Sequence, residues 1–374
     1  MSPMSPMSLS NSRPVIIAYI TGHGYGHFTR SAAVLERVAE RAAVHLRTNG
    51  RALALSGRAP WAASVTDVDV GPGVAQRGPL AVDLERTRTE LGAHLAAWPA
   101  LIPAEAAAIG AAGARLVVAD VPPLAFAAAA EAGVPALAMS NFSWSWIYDG
   151  YADRDPWFGR AAAELRGAEA QASACLALEM GGGLEVFGGH VPIPPVGRRP
   201  TRPRAVLRAR LGLHDPDERD ARPLVLVSFG GFGGELDIEE AAAKNRDLRL
   251  LVVSAPVARP RPELRSIEPD DELPHQDLIA AADCVIGKLG YGTVVECLLA
   301  QTPLVHVPRG DFREEAELAR AVARYLPQTV LPVADFRAGR WGEAVARARA
   351  ARPSEPPPAG DGIAAAVKAI LDRL

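Results

Sequence analysis

The sequence predicts an α/β protein of two domains, each a Rossmann-like, doubly wound parallel sheet, which face each other across a central cleft. Three observations predict this fold. The 374 residues exceed what one hydrophobic core usually supports. Short apolar runs alternate with helical stretches throughout the chain, and a strand followed by a glycine-rich turn opens each half. Because such sheets bind ligands at the carboxyl ends of their strands, both turns are expected at one cleft.

The first half begins with residues 1–13, which are rich in serine and proline and are predicted to be a disordered tail. The N-terminal domain is predicted over residues 14–198. Its buried strands are expected at residues 15–20, 43–48, 115–120, 134–140 and 174–178. An amphipathic helix is expected over residues 29–42, after the first strand.

The second half is separated from the first by residues 199–222, a stretch dense in proline and arginine that predicts a solvated interdomain linker containing one helix. The C-terminal domain is predicted over residues 223–374. Its strands are expected within residues 223–234, 248–253, 283–287 and 303–308, and its helices include 293–300 and 312–326. The last helix either stays with this domain or packs back on the N-terminal one.

The composition is that of an ordinary soluble protein, with 49% hydrophobic and 22% charged residues. The net charge of −3 offers no electrostatic reason to expect nucleic acid or an anionic membrane as a partner. No signal peptide and no membrane-spanning run is recognised. The three scattered cysteines predict neither a disulfide framework nor a zinc site, and a cytoplasmic location is expected. The oligomeric state is not indicated.

The first glycine turn, TGHGYGHFTR at residues 21–30, places His27 where the last glycine of a dinucleotide-binding fingerprint would fall, which argues against a nicotinamide cofactor. At the start of a helix the dipole disfavours imidazolium, so His27 is a candidate general base. The alternative is a histidine that only hydrogen-bonds within the turn. His23, on the same loop, is a weaker candidate.

Asp120 ends the predicted strand RLVVAD, where a side chain emerges at the carboxyl edge of the sheet. A carboxylate there can accept a hydrogen bond from the far ring nitrogen of His27 and stabilise the imidazolium formed during proton transfer. The alternative is a cap for the turn before the two prolines that follow. Topology alone favours contact between Asp120 and His27.

The second glycine turn lies in GKLGYGTVVE at residues 287–296 and precedes a predicted helix. Backbone N–H groups converge at such a helix start and form an anion site, to which Lys288 adds a cation. The residues expected to bind a diphosphate there are Gly290, Tyr291, Gly292 and Thr293. The alternative for Thr293 and Glu296 is a structural capping box.

Two further groups have both a functional and a structural interpretation. Glu314 and Glu315 either accept hydrogen bonds from sugar hydroxyls or only complement the dipole of a predicted helix. On the acceptor side, Arg30 in a helix's first turn indicates a nearby anion or a solvated side chain. Asn141 and Trp144, in the aromatic stretch NFSWSWIYDGY, fit either an acceptor site or the core.

The stretch KLGYGTVVE resembles the donor motif of GT-B glycosyltransferases. The resemblance implies a diphosphate contact at Lys288, in place of that motif's histidine, and at Thr293, and a ribose contact at Glu296. Lys288 would make that contact a permanent charge. EEAELAR resembles the family's later stretch, which implies donor-sugar binding by Glu314 and Glu315.

VSFGG resembles the strand that opens the family's second domain, where Gly231 replaces a phosphate-contacting serine and would offer its N–H. His27 and Asp120 match the family's base and its partner. A narrower resemblance, over about residues 14–345, is to the glycosyltransferase-like portion of L-arabinokinases. No phosphate loop of their sugar-kinase portion is recognised, so arabinokinase activity is not expected.

The resemblance implies an inverting, metal-independent glycosyltransferase that uses a nucleoside diphosphate sugar, with UDP as the expected nucleotide, and a small hydroxyl-bearing acceptor. No further cofactor is expected. The triplets DVD (67–69) and DRD (153–155) match a metal motif of a different glycosyltransferase fold and are attributed to chance. The alternatives are a non-catalytic sugar-nucleotide binder or activator, and a UDP-sugar epimerase.

Overall fold

The computed structural model describes residues 13–78, 80–213, 221–230, 237–261 and 263–374. Gly231 and the predicted tail, except for Arg13, lie outside the described residues. Within the described ranges the chain forms two parallel sheets with helices on both faces, together with one short antiparallel hairpin.

The N-terminal sheet has the strand order β3-β2-β1-β6-β7-β8-β9, and all of its described pairs are parallel. The strands of this half are β1 (Val15–Ile20), β2 (Ala43–Thr48), β3 (Ser64–Asp67), β4 (Gln76–Arg77), β5 (Ala81–Val82), β6 (Ala114–Asp120), β7 (Ala136–Phe142), β8 (Ala174–Gly182) and β9 (His190–Ile193). The helices are α1 (Tyr25–Val38), α2 (Gly50–Leu55), α3 (Leu84–Ala111), α4 (Pro123–Glu131), α5 (Trp144–Asp149) and α6 (Pro156–Glu169).

The C-terminal sheet has the order β12-β11-β10-β13-β14-β15 and is again parallel in its described pairs. Its strands are β10 (Leu224–Ser228), β11 (Arg249–Val253), β12 (Leu264–Ile267), β13 (Cys284–Gly287), β14 (Leu304–His306) and β15 (Gln328–Val330). The helices are α7 (Arg204–Arg210), α8 (Ile238–Lys244), α9 (His275–Ala281), α10 (Tyr291–Ala300), α11 (Glu314–Tyr325), α12 (Val333–Arg337), α13 (Gly342–Ala350) and α14 (Gly362–Leu371).

The strand order reverses at β1 in the first sheet and at β10 in the second. In parallel sheets a crevice opens at such a switch point, beyond the carboxyl ends of the two strands that diverge there. In the first sheet Ile20 pairs with Asp120 at this edge, and in the second Ser228 pairs with Gly287. Both glycine turns therefore begin at the crevice of their own sheet.

The segment predicted as a solvated linker differs from that expectation, because its helix α7 is docked on the C-terminal domain. Leu207 is fully buried, and the Arg208 guanidinium donates to the Ala281 carbonyl at 2.9 Å and pairs with Asp283 at 2.8 Å. The basic side chains in this segment thus serve packing against α9 and β13 rather than solvation of a linker.

The last helix, α14, packs against α1 and β9 of the N-terminal domain. Its apolar residues Ile363, Ala366 and Ile370 are buried in the same hydrophobic cluster as Val34 and Leu35 of α1. The N-terminal domain is therefore completed by the end of the chain. Among the described residues, no helix combines the length and the apolar character that crossing a bilayer requires.

Candidate active site

His27 lies in the first turn of α1, and its ring contacts the carboxylate at the end of β6. Gly24 is the N-cap of α1, which leaves His27 at the third helical position. Its Nδ1 lies 2.9 Å from Asp120 Oδ1. An ionised carboxylate can only accept, so Nδ1 is the donor in this contact, although Arg30 Nη2 also lies 3.0 Å from the same nitrogen. With Nδ1 as the donor, Nε2 is the ring nitrogen that can accept a proton.

Asp120 is almost completely buried and accepts four hydrogen bonds. Besides His27, they come from Arg30 Nη2 at 2.6 Å, Arg30 Nε at 2.8 Å and Ser31 Oγ at 2.7 Å. Burial opposes ionisation of Asp120, but the charges of Arg30 and His27 outweigh it and hold the pKa of this carboxyl well below its usual value. The alternative of a turn cap is wrong, because all four hydrogen bonds to the Asp120 carboxylate come from side chains of α1.

The backbone turns sharply immediately after this carboxylate. Val121 adopts φ 79°, a conformation that β-branched residues rarely occupy. Such strain costs about 1–3 kcal/mol and persists only where the surroundings impose it. Here it accompanies the turn that leads from β6 into α4, beside the His27–Asp120 pair.

The structure places Arg30 and Asn141, which were predicted on the acceptor side, inside a buried network. Asp120 is the anion near Arg30. The Arg30 guanidinium also donates to Asn141 Oδ1 at 2.7 Å. Asn141 Nδ2 in turn donates to Glu314 Oε1 at 2.7 Å. The His27–Asp120 pair is thereby connected through side chains to α11 of the other domain.

The two glycine turns lead into helix starts that contact each other. A Cβ built on Gly292 would lie 3.6 Å from the Cα of Gly26, so the starts of α10 and α1 are close together. The described helix α10 begins at Tyr291 with Gly290 as its N-cap. The capping-box alternative for Thr293 and Glu296 is therefore wrong, because Thr293 is the third helical residue rather than the cap. The Tyr291 hydroxyl accepts from the Val196 N–H at 3.1 Å.

Lys288 lies just before α10, in a strongly positive environment. Burial, followed by the charges of Arg309 and Arg51, lowers the pKa of Lys288 to about 7, although Glu314 and Glu315 act in the opposite direction. The permanent charge expected at Lys288 in a diphosphate contact stays a prediction.

Glu296 is buried, and each of its carboxylate oxygens has a side-chain partner. Oε1 accepts from Arg198 Nε at 2.8 Å, and Oε2 lies 2.8 Å from His275 Nδ1. The other ring nitrogen of His275 lies 2.9 Å from Ser228 Oγ, at the end of β10. Burial raises the pKa of Glu296, but His275 and Arg198 together hold it below its usual value. Its carboxylate is fixed near the end of β10.

Glu315 is engaged by Arg309, a residue that the sequence analysis did not identify. The Arg309 backbone N–H donates to Glu315 Oε1 at 2.9 Å, while its guanidinium donates to the Leu289 carbonyl at 3.0 Å. Arg309 and Arg51 both follow the carboxyl end of a strand, β14 and β2 respectively. This position after a strand could have identified Arg309 and Arg51 as candidate site residues, whereas nothing in the sequence marks Arg198 or His275.

His23 and Trp144 belong to an aromatic cluster at the domain interface. The His23 ring packs edge-on against Trp144 at 5.3 Å and stacks on Phe312 of the other domain at 5.8 Å. Burial, together with nearby positive charges, holds the pKa of His23 well below its usual value. Trp144 is itself 3% exposed, so its indole belongs chiefly to the core.

The two Asp-x-Asp triplets have structural roles in the described chain. Asp69 pairs with His94 at 2.9 Å, and Asp155 caps α6 by accepting from the Trp157 N–H at 2.9 Å. Over the described ranges, no group of three or more His, Cys, Asp or Glu side chains is arranged to hold a metal ion.

The chain is similar in sequence to an L-arabinokinase from Arabidopsis thaliana, with 28% identity over 353 residues. The match covers 93% of this chain and 33% of the relative, so the chain spans about a third of the length of the curated relative that it matches. The predicted resemblance is confirmed at this level. No family model matches the chain.

The fold is similar to that of solved GT-B glycosyltransferases. The kitacinnamycin glycotransferase aligns at TM-score 0.61 with 17% identity, over 96% of this chain and 94% of that one. The spinosyn forosaminyltransferase aligns at 0.57 with 16% identity, over 97% and 96%. A UDP-glucosyltransferase from Polygonum tinctorium aligns at 0.55 with 14% identity, over 96% and 94%. The predicted GT-B fold is therefore confirmed.

Proposed function

We propose that this protein is an inverting glycosyltransferase that moves a sugar from a nucleoside diphosphate, UDP in our proposal, to a hydroxyl group of a small acceptor. The observation that carries the proposal is the hydrogen-bonded His27–Asp120 pair at the start of α1, opposite the start of α10. A base and an anion site on facing sides of one cleft are what displacement at an anomeric carbon requires.

In the proposed reaction, His27 Nε2 takes the proton of the acceptor hydroxyl while the new bond forms between the acceptor oxygen and the anomeric carbon. Asp120 keeps the Nδ1 proton in place and stabilises the imidazolium. The bond from the anomeric carbon to the diphosphate breaks on the opposite face, so the configuration inverts. The chain carries no pair of glutamates eight positions apart, which retaining GT-B enzymes commonly have.

The leaving diphosphate gains negative charge, which the cations and backbone dipoles of the second domain would stabilise without reorganising. Lys288 and the N–H groups at the start of α10 supply this stabilisation in our proposal, which requires no metal. Glu296 would accept from the ribose hydroxyls, and Glu314 and Glu315 from those of the donor sugar. The named UDP-glucosyltransferase among the structural neighbours supports the choice of UDP.

The test is incubation of the purified protein with a panel of UDP-sugars and small hydroxyl-bearing acceptors, with detection of UDP and of glycosylated product. Product together with UDP supports the proposal. An isomerised sugar would indicate an epimerase, and thermal stabilisation by UDP without turnover would indicate a binding protein.

His27→Ala supplies the decisive variant. Loss of a general base costs about a hundred- to ten-thousandfold in rate, so kcat should fall by that factor while the affinity for UDP stays within about twofold of wild type. His45→Gln, at a half-buried position of β2 whose ring contacts Ser64, is the matched control and should leave kcat unchanged. If His27→Ala weakened UDP binding as much as it slowed turnover, His27 would be a loop-shaping residue instead.

A further inference from the structure

Arg51 lies in α2 of the N-terminal domain and reaches across the cleft to the C-terminal one. Its Nη1 donates to the carbonyl oxygen of Gly230 at 3.2 Å, in the turn that follows β10. Its guanidinium carbon also lies 5.5 Å from the ring centroid of Tyr25, the first residue of α1. Arg51 is thus held between the two turns that begin the proposed site.

Lys288 lies against the same turn from the other side. A Cβ built on Gly230 would be 3.9 Å from Lys288 Cε. Gly230 has φ 68°, so its turn adopts a glycine-favouring conformation between the two cationic side chains. Arg51 and Lys288 therefore converge on one short stretch of backbone, although they come from different domains.

The electrostatics agree with this geometry. The charges of Arg51 and Arg309 both lower the pKa of Lys288. Burial, together with the charges of Lys288, Arg309 and Arg51, also lowers the pKa of His23, on the loop before α1. The carboxylates that face this group, Glu314 and Glu315, are bonded to Asn141 and Arg309 respectively. The region keeps a positive field that a polyvalent anion would neutralise.

We propose that Arg51 binds the diphosphate of the donor from the acceptor-side domain, so that the two domains together complete the anion site. This inference rests on the proposed function, which places a diphosphate at the start of α10. A guanidinium offers a planar pair of N–H donors that matches phosphate oxygens, whereas Lys288 acts as a point charge. Arg51 would exchange the Gly230 carbonyl for a phosphate oxygen when the ligand binds.

The chain provides a matched control in Arg58, which closes the short turn after α2. Its Nη2 donates to the Pro269 carbonyl of the C-terminal domain at 3.3 Å. Arg58 and Arg51 therefore make the same kind of contact across the cleft. Of these two arginines, it is Arg51 whose charge is among those that lower the pKa of Lys288. A mere clamp between the domains would make both arginines equally important.

The experiment is calorimetric titration of wild type, Arg51→Gln, Arg51→Lys and Arg58→Gln with UDP and with inorganic pyrophosphate, together with melting temperatures. A hydrogen bond to a charged group predicts a loss of about ten- to a hundredfold in affinity for both ligands in Arg51→Gln. Arg51→Lys should lose less, because it keeps the charge. Arg58→Gln should stay within about twofold of wild type.

Equal affinities for wild type and Arg51→Gln would overturn the inference, as would an equal loss in Arg58→Gln. Wild type that binds neither ligand would overturn both this inference and the anion site of the proposed function. If binding depends on Arg51 but no UDP-sugar is turned over, the inference stands and the proposed transfer reaction fails. Pyrophosphate makes the test independent of the nucleoside.

Discussion

Lys288 is a residue whose ionisation depends on its neighbours. Burial and the charges of Arg309 and Arg51 lower its pKa to about 7, so near neutral pH the ligand-free protein contains both forms of this amine. A diphosphate stabilises the protonated form, since opposite charges favour ionisation. Binding of the donor is therefore expected to take up part of a proton at Lys288 near pH 7, and a larger part as the pH rises.

The corresponding prediction concerns the pH dependence of UDP affinity. Because the free-state pKa of Lys288 is lowered, the required proton is already present below pH 7 and must be recruited above it. The affinity should thus fall by up to about tenfold per pH unit between pH 7 and pH 9. Calorimetry at several pH values measures this slope.

Lys288→Arg is the matched variant, because a guanidinium remains charged throughout this range. Its UDP affinity should be nearly independent of pH above 7. A wild-type affinity that stays flat from pH 7 to pH 9, or an unchanged slope in Lys288→Arg, would contradict the assignment of the titrating group.

At the scale of elements, the central strands of both sheets were predicted from the sequence, but the edge strands were not. Continuous apolar runs mark β1, β6, β7 and β10, because both of their faces are buried. The edge strand β3 reads SVTD and is exposed throughout, so it gives no such signal. The start of α10 was ambiguous for another reason: the T-x-x-E pattern of a cap also fits the interior of a first turn.

Thr293 tests the observed start of α10. Because Gly290 is the N-cap, Thr293→Ala removes no capping hydrogen bond, and the melting temperature should stay within about a degree of wild type. A true N-cap threonine would cost about 1 kcal/mol or more. Differential scanning calorimetry measures the stability.

The same variant should bind UDP less tightly, by about three- to tenfold, because the proposed site loses a hydroxyl donor. Val294→Ala, in the buried face of α10, is a useful contrast. It should lower the melting temperature through lost packing while leaving UDP affinity nearly unchanged. If Thr293→Ala lost the stability expected for an N-cap threonine while its UDP affinity stayed unchanged, the capping interpretation would be restored.

At the scale of the whole molecule, the pairing of His27 with Asp120 followed from topology, since β1, which precedes the turn that carries His27, is the neighbour of β6, which ends at Asp120. Contacts that join the two domains did not follow. Arg51 contacts Gly230, and Asn141 contacts Glu314, although 179 and 173 residues separate these partners. Periodicity within each half specifies a sheet, but it contains no information about how one sheet is oriented toward the other.

A substitution at Gly362, the first residue of α14, tests how closely this helix packs against residues 194–195. A Cβ there would lie 2.3 Å and 2.4 Å from the carbonyl oxygens of Pro194 and Pro195, which are backbone atoms that cannot move aside freely. Gly362→Ala should therefore destabilise the protein by about 1–3 kcal/mol, with a lower melting temperature. Gly167→Ala is the control, since a Cβ meets nothing within 4 Å in helix α6.

Gly167→Ala should be neutral or stabilising by up to about 1 kcal/mol, because alanine favours the helix. If both variants melted at the same temperature as wild type, the close packing of α14 over residues 194–195 would be disproved.

The return of α14 to α1 also constrains protein engineering. The N-terminal domain includes α14 as well as the first half of the chain, so a single splice between β9 and α7 would separate α1 from the helix that covers it. A chimaera that exchanges the N-terminal domain between related proteins needs two crossovers, one before α7 and one before α14. Lobes recombined at a single junction would leave Val34, Leu35 and their neighbours facing water, and would be expected to aggregate.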